Sequence, residues 1–517
     1  MIINNKTMRI INLLSIIIIV IMLNLLASKC LFKIDLTAHK LYTLSEGTKK
    51  IISTLPDVVH IKIVASNDIP SPYNNTVKYF IDLLKEYEKY SNKKVKVELI
   101  ASDDITYLSE KAELYSIPPL QVNAIEKDNL QIKKIFMGAV FIYKDKKEDI
   151  PVIANVENME YEISSIIKNL TGNKKPQLAL LEVGNAPNMR QGLTRLYGLL
   201  SKNYEVNSVR ITEGKPINKK YDVLMLISPM GKLSENEVYA IEEFLMSGKN
   251  VILALDEVTG TPQSGYAYSL ETGLEDFMKT NGIILDKQII YDTNASVINV
   301  SNNDGGFIIS TSIRYPFFPE IYNFNKEHII SKDLNAINLI YPTPIIISPD
   351  NATKTNLVYT PLAYSSENTG LTKSPYNIAI DRDYARSEFD KGPQVVALYV
   401  EGTFRTNFDK PLKGFEDTFK KEGSGKLVLI SDGDFIKDQY IASGNNSAFI
   451  LNSVDYFMSD PALASLRGKM FTFNPITLSN PTAQVFLKYA GIILPILLSA
   501  ICIFIIGLIY RMKRSVR

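Results

Sequence analysis

The 517-residue sequence has no tryptophan, two cysteines and three histidines, and each shortage removes a class of function. Cys30 and Cys502 stand near opposite ends, so the long stretch between them can form no disulfide, CxxC redox pair or cysteine zinc site. With only His39, His60 and His328 available, a Ser-His-Asp triad would have to recruit His60 or His328, and neither GxSxG nor HExxH occurs. Acidic residues are missing from both ends: all 55 lie between Asp35 and Asp460. The tails are purely basic, with Lys6, Arg9, Lys29 and Lys33 at one end and Lys488, Arg511, Lys513, Arg514 and Arg517 at the other. With those nine of the 57 basic residues set aside, the interior holds 48 against 55 acidic ones, a net of −7. A nucleic-acid binder would carry its cationic excess on the folded part, so that partner class is excluded.

A chain of this length with 46% hydrophobic and 22% charged residues is too large for one core and too apolar for disorder, which implies two or three domains. Two uncharged runs flank it, the 19 residues Ile10–Ser28 and the 22 residues Tyr489–Tyr510. At about 1.5 Å per residue each matches a hydrocarbon core of about 30 Å, and both read as transmembrane helices. The first exceeds the apolar length of a signal peptide, about 7 to 15 residues, and Lys29 spoils the cleavage site, so it reads as an uncleaved anchor. The cations after Tyr510 place the C-terminus in the cytoplasm. Two spans then put tails 1–9 and 511–517 inside and residues 34–487 outside the bacterial cytoplasmic membrane.

Between the spans the patterning changes. VVHIKIVAS and KVKVELI read as strands on either side of an amphipathic helix over Tyr73–Tyr90. Thr43 with Glu46 is a capping-box pattern opening a helix that should run to about Leu55. A short helix near 107–115, strands in LQVNAIEKD, KIFMGAVFIYKDK and EDIPVI, and a helix over 157–170 complete the order βαβαβββα, which resembles a thioredoxin-like domain over residues 35–172 without redox cysteines. TGNKKP at Thr171–Pro176 is a polar linker. Beyond it, over 176–470, QLALLEV, YEVNSVRI, DVLMLISP, NVILALDE and KLVLISDGDF alternate with helical segments as a parallel α/β sheet should. A β-containing insertion occupies about 286–420.

In an open α/β sheet ligands bind at the carboxyl ends of strands. Those ends carry Glu182, Ser228, Asp256 with Glu257, and Asp432 with Asp434, which together would form an acidic crevice for a cation, an amine or a sugar hydroxyl. The same residue types are also the commonest helix caps and turn formers, and that plainer reading is favoured. SDGD lacks the remaining ligands of a calcium loop, and no cofactor or metal is called for. Gly423–Lys426, GSGK, superficially matches a phosphate loop, but it precedes a strand and Leu427 replaces the magnesium-binding hydroxyl, so it reads as a turn. The aromatic run Tyr315–Phe318 suits core burial better than an exposed patch.

Several blocks together resemble one family, the GldG-type auxiliary component of ABC transport systems, named for gliding motility. DLTAHKLYTLSEGTKKIISTL is similar to its opening signature, and KLVLISDGDFIKDQYIASGNNSAFILNSVDYFMSD to its late block. Arg467, Lys469, Pro495 and the basic tail also fit. The sequence departs from the pattern in having Tyr456 and Phe457 where the family usually carries Trp, and Ile329 where Pro would follow His328. The resemblance implies a middle domain similar to class I glutamine amidotransferase-like sheets, and a subunit working with a separate permease and a separate ATPase. The reading is therefore an α/β, non-enzymatic, extracytoplasmic accessory subunit of a bacterial ABC transporter, coupling a permease to an envelope substrate or partner. Its candidate ligand-binding residues are Glu182, Ser228, Asp256, His328, Asp432 and Asp434. The alternatives are a membrane-anchored receptor for an envelope glycan or solute and, third, a carboxylate-dependent hydrolase.

Overall fold

The computed structural model describes residues 43–458 other than 72, 127–128, 154–158, 173–174, 213, 305–306, 333 and 349–355, together with Met22. A helix over Glu46–Ser53 opens the described chain, followed by β1 (Val59–Ser66), a helix over Tyr73–Tyr90 and β2 (Val95–Ser102). Then come a helix over Ile105–Leu114, β3 (Leu120–Glu126), β4 (Asn129–Ile135), β5 (Met137–Tyr143), β6 (Lys146–Ile150) and a helix over Met159–Thr171. The first sheet has the order β2-β1-β5-β6, with β1 and β2 parallel and the other neighbours antiparallel. Its core forms because Val59, Ile61 and Ile63 alternate along β1 while Val77, Phe80, Leu84 and Tyr87 line one face of the Tyr73–Tyr90 helix.

The first helix is capped by Ser45, not Thr43: the Ser45 Oγ accepts the Thr48 N–H at 3.1 Å. The other half of a capping box is supplied from afar, where the buried Glu160 accepts the Ser45 N–H and the Thr48 hydroxyl, both at 2.7 Å. Tyr87 closes this network by donating to the Glu160 carbonyl at 2.8 Å.

The second part begins with β7 (Gln177–Leu181), β8 (Glu205–Val209), β9 (Val223–Ile227) and β10 (Asn250–Ala254), with helices over Thr194–Ser201 and Glu235–Met246 between them. A long β-rich stretch follows: β11 (Val258–Gly260), β12 (Tyr266–Ser269), β13 (Ile283–Leu285), β14 (Ile289–Asp292), β15 (Ala295–Asp304) and β16 (Phe307–Ile321). It continues with β17 (Asn323–Phe324), β18 (Ile337–Asn338), β19 (Ile345–Ile347), β20 (Val358–Tyr364), β21 (Thr369–Thr372) and β22 (Tyr376–Asn377). Last come β23 (Val395–Arg405), β24 (Glu422–Ile430) and the helix Asn446–Phe457. The main sheet has eight strands in the order β17-β20-β23-β24-β10-β9-β7-β8. Strands β8, β7, β9, β10 and β24 run parallel, and β23, β20 and β17 extend the sheet antiparallel.

The central strands carry apolar runs, LALL in β7, VLMLI in β9, VILA in β10 and LVLI in β24, because both faces are covered there. Leu178 and Leu180 pack toward the helices Thr194–Ser201 and Asn446–Phe457, while Ala179 and Leu181 face the helix Glu235–Met246. Gly423–Lys426 lie inside β24, which corrects their reading as a turn. A Cβ at Gly423 would come within 2.0 Å of the Met246 carbonyl oxygen, and one at Gly425 within 2.4 Å of that of Leu245. Those glycines let a strand lie close against a helix end, and they cradle no phosphate. Tyr315, Phe317 and Phe318 are buried with Tyr291, Tyr341 and Tyr376.

Among the described residues no helix is long and apolar enough to cross a membrane. The longest, Tyr73–Tyr90, has 18 residues and is studded with Lys78, Asp82, Lys85, Glu86, Glu88 and Lys89. Met22 apart, the runs Ile10–Ser28 and Tyr489–Tyr510 lie outside the described residues. The expected fold class, thioredoxin-like and amidotransferase-like parts flanked by two transmembrane helices, is thus corrected to a mixed α/β structure of many β-sheets with no such helix among the described residues. The localisation read from those helices, in the cytoplasmic membrane with both termini cytoplasmic, is withdrawn with them.

Candidate functional site

Three neighbouring parallel strands, β9, β10 and β24, end side by side and bring Ser228, Asp256, Asp432 and Asp434 together. Ser228 turns the chain at φ +46°, a left-handed conformation uncommon for a residue with a side chain. Its hydroxyl thereby points across to β10 and donates to Asp256 Oδ2 at 2.5 Å, with Asp434 Oδ1 at 3.2 Å. The other Asp256 oxygen accepts the Gly433 N–H at 2.6 Å. Asp432 accepts the Asp434 N–H at 2.7 Å and, from the loop after β18, the Ile340 N–H at 2.6 Å. Gly433 is forced by this crowding: a Cβ there would sit 2.6 Å from the Ser228 nitrogen and 2.7 Å from the Ala254 oxygen.

Burial, reinforced by the Asp434 charge, pushes the Asp256 carboxyl up to about 6, although the Gly433 N–H, Ser228 and Lys437 pull it back. Burial and then the charges of Asp256 and Asp434 hold Asp432 well above the usual carboxylate range. Lys437, one turn beyond Asp434, forms an ion pair with it. Burial alone would lower the Lys437 ammonium, but attraction to Asp434, backed by Asp256 and Asp432, leaves it raised.

Asp434 is the member of the cluster that lines an adjoining cleft of about 700 Å³, bounded by the 260–263 turn, the base of β15 and the 439–443 segment. Asp256 and Asp432 lie beneath it, 5% and 0% exposed. Each of their carboxylate oxygens accepts a hydrogen bond from a backbone N–H or from Ser228, so they fasten strand ends and loops together. Among the described residues no three His, Cys, Asp or Glu side chains are placed to hold a metal ion.

The remaining candidates lie elsewhere. Glu182, at the end of β7, accepts from Arg210 Nε at 3.1 Å beside a separate depression of about 490 Å³. The point between β7 and β9, where the strand order reverses, is closed: the Met230 and Gly231 N–H groups both donate to the Gly184 carbonyl at 2.8 Å. His328 is wedged between Tyr399 and Tyr456, ring centroids 5.0 and 5.1 Å away, and burial lowers its pKa against the opposing pull of Glu401. Glu257 is buried away from the cleft near Lys287, and burial, with Glu275 adding to it, pushes its carboxyl up to about 8.

Sequence reasoning missed Lys437 and the cleft walls. Lys437 was visible as the residue three places after Asp434. The Ile340 N–H is a backbone donor and leaves no side-chain signal, and Gln263, Asn299 and Gln439 reach the cleft from three segments far apart in sequence.

An uncharacterized protein of Borreliella burgdorferi is 24% identical over 507 residues, covering 94% of both chains. Among solved structures, the mmIFT52 N-terminal domain aligns at TM-score 0.34 and 11% identity, over 55% of this chain and 97% of that one. A ThuA-like protein of Parabacteroides merdae aligns at 0.26 and 10% identity, over 59% and 94%. At these TM-scores neither likeness bears on fold or function. Residues 38–142 match a domain of unknown function, DUF7088. Residues 170–453, more than half of the chain and the whole of the main sheet, match the auxiliary-component family described as an ABC-type uncharacterized transport system, and the chain belongs to that family.

Proposed function

We propose that the chain is a non-enzymatic auxiliary subunit that works with a separate permease and a separate ATPase, coupling the permease to a substrate or protein partner. The observation that carries this reading is the closed hydrogen-bonding of the strand-end cluster, in which Ser228, Asp256 and Asp432 serve each other and nearby backbone groups. Family membership and the GldG-type blocks around Thr43–Lys50 and Asp432–Phe457 support the partnership. The building of GSGK into β24 supports an energy source in another chain.

The test is co-expression with a permease and ATPase encoded beside its gene. The purified chain is expected to lack ATP hydrolysis, and affinity capture of the chain is expected to retain both subunits in stoichiometric amount. Intrinsic ATP turnover, or a chain that purifies free of both subunits, would refute the reading.

A further inference from the structure

The cleft next to Asp434 has a lining that specifies a ligand class. Among its described lining residues none is Lys or Arg, so it offers no counter-charge to a phosphate or carboxylate. Of its two carboxylates, Asp434 is neutralised by Lys437, and Glu320 accepts the Tyr322 hydroxyl at 2.5 Å. The exposed amides Gln263, Asn299 and Gln439 supply donors and acceptors from different sides. Tyr440, half-buried, adds one ring face, seated against the buried Phe318 at 6.1 Å between centroids. Amides and carboxylates match hydroxyl groups, the Tyr440 ring matches the apolar face of a pyranose, and about 700 Å³ suits two or three sugar units.

The geometry points to a binding site for a short neutral oligosaccharide in the cleft between the 260–263 turn, the base of β15 and the 439–443 segment. Asp434 and Glu320 accept hydrogen bonds from sugar hydroxyls there, and Tyr440 stacks. Lys437 has a positioning role: it holds Asp434 at the floor and neutralises it. The site does not depend on the partnership with a permease and ATPase, and either can fail without the other.

Saturation-transfer NMR on the full-length chain, with titration calorimetry for affinity, tests this with chitotriose, cellotriose and maltotriose as neutral probes and the cationic glucosamine trimer as control. At least one neutral trisaccharide is expected to bind with transfer from tyrosine protons, and the exposed-site double variant Gln263→Ala/Gln439→Ala to weaken it at least tenfold with an unchanged Tm. Tyr440→Phe, which keeps the ring, is expected to retain binding. Absence of binding by all three neutral sugars, a preference for glucosamine trimer, or affinity untouched by the double variant would overturn the assignment.

Discussion

Replacing Asp256 by Asn isolates the electrostatics of the strand-end cluster. The amide preserves an acceptor for the Gly433 N–H and a partner for the Ser228 hydroxyl, while removing a charge that burial and Asp434 both disfavour. The Asp256 carboxyl rises from 3.8 to about 6 on folding, and at about 1.4 kcal/mol per pH unit that is about 3 kcal/mol. The folded value lies above the unfolded one, so the native chain holds the proton more tightly. The associated stability is fully present below pH 3.8 and is lost as pH rises through about 6. Asn suffers no such loss, and removing the Asp256 charge also relieves Asp432, which shifts the balance the same way. At pH 4 the variant should lie within about 1 kcal/mol of the parent, the size of one exchanged neutral hydrogen bond. By pH 8 the difference should have moved by about 3 kcal/mol in favour of the variant. Urea unfolding followed by far-ultraviolet circular dichroism at pH 4, 6 and 8 reads this directly. A difference that stays flat with pH, or a parent that gains on the variant toward pH 8, would refute the description of Asp256 as a disfavoured buried charge.

Gly433→Ala should cost about 3 kcal/mol by overpacking against the Ser228 and Ala254 backbone, measured as a lowered urea midpoint. Gly425→Ala should be destabilising on the same scale through the Leu245 carbonyl, and a variant of unchanged stability would show that β24 does not need its close approach to the helix. Tyr87→Phe removes the donor to the Glu160 carbonyl and should cost about 1 to 3 kcal/mol in the first sheet's core, read by hydrogen exchange of β1 amides. His328 is favoured neutral in the folded chain, so its contribution is present above pH 6.5 and lost as pH falls below it. His328→Phe should therefore lessen the acid loss of stability between pH 6.5 and 5, and an unchanged acid limb would contradict the burial argument.

Elements whose residues carry their own instruction were legible in the sequence. The helix over Tyr73–Tyr90 announces itself by apolar spacing, and VLMLI and VILA are unbroken apolar runs because helices cover both faces of β9 and β10. What depended on a distant partner was not legible. The Thr43–Glu46 pattern pointed to the wrong cap because the completing carboxylate, Glu160, stands 115 residues from Ser45. GSGK looked like a turn because glycine breaks strands, whereas here the demand comes from the Leu245 and Met246 carbonyls lying against β24. At the site, the meeting of Ser228, Asp256, Asp432 and Asp434 follows from the strand order, but the Ile340 donor and the three cleft amides come from the β-rich stretch, whose pairing no local pattern dictates.

The position of β24 also sets a timetable for synthesis. It lies between β10 and β23 in the sheet, yet leaves the ribosome long after β10, whose Val251, Ile252, Leu253 and Ala254 are at most 1% exposed once folded. At about 5 to 20 residues per second the β10 edge waits roughly 10 to 35 s for its partner, an unpaired apolar strand on a nascent chain. A transcript truncated anywhere between β10 and residue 422 would leave that edge permanently open, so premature termination there should yield aggregates and chaperone-bound fragments in place of a smaller soluble protein.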